Sequence, residues 1–186
     1  MTRAAELAAE FERACTEFAD YVASLSADEW HVPAVNHPEI VRGADENRPV
    51  GVVAHHVGES IPTIAEIARQ RAAGEETVAF DIDASNARHA AINARPDQAE
   101  TVSLIRDNGA RAAELIRGLS DESLGRVGGT SSTMTAEQVI SRVLVGHFAW
   151  HEKSHPRHGR GSRQAVDIPS MPARVTIRPG SRSGRS

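Results

Sequence analysis

Apolar residues recur every three or four positions along four stretches of the chain, and these stretches predict four main helices. Leu7, Phe11, Cys15, Phe18, Val22 and Leu25 mark the first, from about Ala4 to Leu25. A loop broken by proline and glycine, Trp30 to Asn47, separates it from the second, where Pro49 suits a first helical turn. Val53, His56/Val57, Ser60, Ile64 and Ile67 then share one face. Pro62 is expected to kink this helix, because it removes a donor and crowds Gly58 one turn back. The third region begins with a short helix, about Asp83 to Asn93, and breaks at Arg95-Pro96. It resumes at Asp97, with Val102, Ile105, Gly109, Ala112, Ile116 and Leu119 facing inward. The fourth helix starts near Thr135, where Thr135-Ala136-Glu137-Gln138 has the spacing of a capping box. Ile140, Leu144, His147, His151 and Ser154 form its stripe, and Pro156 stops it. No alternation is strong enough for a sheet, although Thr77-Val78-Ala79-Phe80 is weakly extended.

The expected fold class is therefore all-α, in one domain over residues 1–156. After that the pattern changes. Residues 157–186 hold seven Arg against one Asp, with scattered Pro and Gly and little periodic hydrophobicity, which predicts an irregular or disordered basic tail. That leaves a net −10 for residues 1–156 of a chain whose formal charge is −4. The tail has no aromatic residue on which a base would stack, so a nucleic-acid partner is not expected. No run reaches the roughly 18 apolar residues of a membrane span. The stretch Met1-Thr2-Arg3-Ala4-Ala5-Glu6 lacks an apolar signal core, and the single cysteine, Cys15, excludes an internal disulfide. A cytoplasmic protein is the expectation.

The stripes then sort the histidines. His147 and His151 are four apart, so a helix sets both imidazoles on one face, about 5–6 Å apart at Cβ, and both continue the apolar stripe. On the second helix His56 lies on the stripe of Val53, Ser60 and Ile64, whereas His55 aligns with Glu59, Pro62 and Glu66 on a more polar line. His56, His147 and His151 are thus the predicted interior set. Converging imidazoles satisfy each other poorly without a cation between them. The chemistry implied is a divalent ion, Zn or Ni first, Fe or Mn also compatible, with an open position for water or an anionic ligand. The plainer reading, histidines that merely pack, stands beside it. His155 abuts Pro156 and is read as a surface or supporting residue, and His158 belongs to the tail. His31 and His37 have no companion spacing, and His89 and Asn86 read as capping or surface polarity. Cys15, Met134 and Trp150 read as packing residues, and Glu59 and Glu152 as the nearest acidic residues able to support ligands.

The order of a long first helix, Val52-Val53-Ala54-His55-His56-Val57-Gly58-Glu59-Ser60, Asp83-Ala84-Ser85-Asn86, Leu119-Ser120-Asp121-Glu122-Ser123-Leu124 and His147-Phe148-Ala149-Trp150-His151 resembles the DinB/YfiT-like metalloenzymes. That superfamily includes mycothiol-dependent maleylpyruvate isomerase and related thiol-S-transferases. The resemblance covers roughly residues 4–156 and implies an up-down-down-up four-helix bundle, often a homodimer. It also implies a divalent metal on His56, His147 and His151, and a small-molecule electrophile attacked by a low-molecular-weight thiol such as mycothiol or bacillithiol. Two departures bear on the pocket. Asn47-Arg48-Pro49-Val50 stands where family members often have a Trp, and Glu152-Lys153-Ser154 replaces a common Gly-Gln. A non-catalytic metal- or ligand-binding stress-response protein is the alternative function.

Overall fold

A computed structural model describes residues 1–35, 48–76, 82–127 and 133–153. Thr77–Phe80, whose pattern reads as weakly extended, the expected stop at Pro156, residues 157–186 and His37, His155 and His158 lie outside the described residues.

The first stripe folds as α1, Arg3–Ala23, two residues short of the expected end because Ser24 caps it and Ser26 already begins another helix. Both ends of α1 are closed by side chains from far along the chain. The Asp121 carboxylate accepts from Arg3 N and Ala4 N, each at 3.1 Å, and Gln98 Nε2 donates to Val22 O at 2.7 Å and Leu25 O at 2.9 Å. A short helix α2, Ala27–His31, follows and takes in Trp30 and His31, the first two residues of the expected loop. It has a full Ser26/Glu29 capping box and buries Trp30, whose Nε1 donates to Pro96 O at 3.1 Å. One apolar residue in a single turn carries no periodicity, so nothing in the pattern announced it.

The second stripe forms α3, Val50–Ala73, entered from Pro49 and ended by Gly74 in the left-handed conformation, φ 74°. The helix runs through Pro62. Proline leaves the Gly58 carbonyl without its usual helical donor, and Asn108 Nδ2 supplies one at 2.8 Å. Asn108 is buried and sits on α5, Gln98–Arg117, which Asp97 caps by accepting from Glu100 N. Asn108→Leu should therefore cost about 1–3 kcal/mol by stranding a buried carbonyl, read as a lower urea midpoint. An unchanged midpoint would show that solvent satisfies Gly58 O. Between α3 and α5 lies α4, Ile82–Ile92. The turn α6, Asp121–Leu124, follows α5.

The last leg begins at the Thr135/Gln138 capping box with α7, Ala136–Gln138. It then widens into a π-helical segment, Val139–Val145, before α8, Gly146–Lys153. This is a departure from a uniform fourth helix. The wider turn lets Val139 and Leu144, five residues apart, both face the core beside Ile140. The long helix α1 packs on α5, α5 on α3, and the last leg on both α1 and α3, around a core that includes Leu7, Phe11, Ile61, Ile105, Ile116 and Leu144. The architecture is all-α, with no strand among the described residues. No helix of those residues is long and apolar enough to cross a membrane.

Candidate metal centre

α8 is held by Phe148, whose ring lies 5.7 Å from that of Phe11 and 5.4 Å from that of Phe18, centroid to centroid. Phe148 stands between His147 and His151 in sequence, so burying it turns both imidazoles toward α3. There His56 meets them, with ring centroids 5.6 Å from His147 and 5.8 Å from His151, while His147 and His151 are 4.6 Å apart. One ring nitrogen from each of the three lies within 4.8 Å of the others. A tetrahedral ion with nitrogen ligands at about 2.0–2.1 Å needs them about 3.3 Å apart, so small side-chain rotations suffice.

Ser60, one turn beyond His56 on α3, orients the group. Its hydroxyl donates to Val57 O at 2.9 Å and so accepts from His147 Nδ1 at 3.2 Å. That bond places the His147 proton on Nδ1 and leaves the Nε2 lone pair for a ligand role. All three residues keep part of their surface open, yet protein atoms crowd the rings as in an interior. Burial lowers the pKa of His147 to about 4. Burial, then His147, His89, Arg48 and His55, lower that of His56 to about 3. Burial followed by His147, His56 and Arg48 holds His151 well below its ordinary value. The cluster is therefore a set of neutral, electron-pair-donating imidazoles at neutral pH, as a metal requires.

Each folded-state pKa is depressed below an unfolded value near 6.5, so in acid the unfolded ion-free chain binds more protons. Stability should be full above about pH 7 and fall from about pH 6.5 toward pH 4, by up to about 1.4 kcal/mol per pH unit for each histidine. Urea midpoints between pH 7.5 and 5 check this. A slope as steep in a His147→Ala/His151→Ala variant would assign the loss to other groups.

A second constellation adjoins the first. His89 is buried, 7% exposed, rather than at the surface as its helix suggested. Its Nε2 lies 2.9 Å from His55 Nδ1 and 3.2 Å from Glu59 Oε2. The expectation that His55 lies on a polar line beside Glu59 holds, but both residues meet His89 of α4, while Glu59 stays exposed. Glu59 thus supports His89 and not the three-imidazole set. Trp150 borders His147, with centroids 6.4 Å apart, and packs over Gly146. Cys15 is buried, with its thiol directed at Ile105 O at 3.5 Å, and burial raises its pKa to about 11. It abuts Gly109, where any side chain would collide with the sulfur, so it packs as expected. An apolar hollow lined by Phe18, Val22, Leu25, Val50 and Val53 reaches His151.

A family model, the DinB superfamily, matches residues 10–158. No curated protein matches the chain. No solved structure matches it either.

Proposed function

The chain belongs to the DinB superfamily, and from that premise we propose that it is a metal-dependent thiol-S-transferase acting on a small electrophile. The observation that carries the reading is the convergence of His56, His147 and His151 from two separate elements, with His147 oriented by Ser60. In this reading the residues up to 156 are an up-down-down-up four-helix bundle that works as a homodimer. His56, His147 and His151 hold one divalent ion, Zn or Ni, through neutral ring nitrogens. When bound, that ion supplies a Lewis acid able to stabilise a thiolate and polarise an electrophile.

The rest falls to the chain's own residues. Ser60 fixes the His147 tautomer, and Phe148 anchors the helix that carries two ligands. Cys15 is poorly suited to attack, being buried, protonated and directed at a carbonyl. The nucleophile is therefore an external low-molecular-weight thiol, with mycothiol and bacillithiol as the natural candidates.

The test is turnover of a panel of small electrophiles with and without added thiol. Activity should require both metal and thiol and should survive Cys15→Ala. Loss of turnover in a folded, metal-loaded Cys15→Ala protein would return the nucleophile to α1. Metal binding without turnover under any thiol would favour the non-catalytic binding role.

A further inference from the structure

α4 is an unusual helix to find docked on a protein surface. Among its described side chains, Ala84 to Ile92, one alone is buried, and it is His89. Ile92, the large apolar residue at its end, is 72% exposed. A helix normally docks through an apolar stripe, but the buried side chain among those described here is an imidazole facing a second imidazole and a carboxylate.

The donor set and its spacing are those of a metal site. His55 and Glu59 are four residues apart on α3 and so share a face. His55 and His56 are consecutive, so the helix turns them about 100° apart, His56 toward α8 and His55 toward α4. His55, Glu59 and His89 each bring one ligand atom within 4.8 Å of the others. Their closest pairs, 2.9 and 3.2 Å, need only slight opening to reach the roughly 3.3 Å of a tetrahedral shell. Hydrogen bonds alone serve the group badly. A single N–H on His89 Nε2 would have to serve the His55 nitrogen and the Glu59 carboxylate together. An ion would let all three atoms present lone pairs at once. The Glu59 side chain, 57% exposed, gives it a path in from solvent and brings a compensating negative charge.

We propose that His55, Glu59 and His89 form a second divalent-cation site, distinct from the three-imidazole cluster, that fastens α4 to α3. Two imidazoles and a carboxylate suit Zn and similar borderline ions. The rings of His56 and His89 are 5.3 Å apart, so the two sites adjoin without sharing a ligand.

The experiment uses the untagged full-length chain, stripped with chelator and titrated with Zn, with bound metal counted by elemental analysis after desalting. Amide exchange across α4 is followed in parallel. The wild type should hold two ions per chain, and both His89→Ala/Glu59→Gln and His147→Ala/His151→Ala should hold one. Zinc should slow exchange in α4 at least about tenfold, and only the first double variant should lose that effect. Glu59→Gln alone, at an exposed position, should keep the fold and weaken the second ion at least about tenfold. One ion in the wild type, lost only with His147 and His151, overturns the second site while the proposed three-imidazole site stands. One ion lost only with His89 and Glu59 supports the second site and removes the first. One ion lost in both double variants means a single shared site and also overturns the proposal.

Discussion

Replacing His147 and His151 together by alanine should weaken divalent-ion binding at His56 by on the order of 100-fold or more. The reason is ligand count. The substitution leaves His56 as a lone imidazole, and one neutral nitrogen does not compete with water for a divalent ion. The helix should survive the change, because the segment carrying both rings is anchored by the buried Phe148. Binding is best measured in a Glu59→Gln background, so that an ion at His55 and His89 does not mask the loss. Circular dichroism should show retained helix. Wild-type affinity in the double variant would mean that His147 and His151 are packing residues and no more.

Phe148→Ala should be the most destabilising single change in the last leg. The ring is 3% exposed and lies against both Phe11 and Phe18. Truncating such a residue costs about 3–5 kcal/mol through lost burial and the cavity left behind. For a chain of this size each kcal/mol lowers Tm by about 2–4 °C, which a thermal melt resolves easily. A second effect should accompany the first. Freed from Phe11 and Phe18, α8 no longer holds His147 against Ser60, so metal affinity should fall although no ligand has been removed. A loss below about 1 kcal/mol would place the Phe148 ring outside the core and undo the account of how α8 is aimed.

The elements with sustained stripes were legible in the sequence. α1, α3 and α5 lie where the spacing of Leu7 to Val22, Val53 to Ile67 and Val102 to Ile116 puts them, and the Thr135/Gln138 capping box marks the start of the last leg. What escaped depends on tertiary contact. The π-helical turn has no sequence mark at Val139, which lies off a 3.6-residue stripe and becomes interior when the turn widens. Trp30 is buried because it meets Gly51, where a side chain would collide with the indole. The nearness of His56, His147 and His151 was readable because each continues an apolar face, and a face predicts a direction. His89 was not, since α4 has no stripe against which an inward direction could be judged. The available signal was indirect: a helix with no apolar face must dock through something else, and His55 and Glu59 are four apart on the neighbouring helix. Ser60 was legible as a position on the inner face of α3, but its bond to His147 depends on how α8 crosses it.

The most direct test of the account is anomalous diffraction from crystals of protein purified without a polyhistidine tag, with data on both sides of the Zn and Ni absorption edges. The account predicts an edge-specific peak bonded to His56, His147 and His151 through one ring nitrogen each, at about 2.0–2.1 Å. An ordered trio of imidazoles with no peak between them, in crystals grown at neutral pH with Zn supplied, would contradict it.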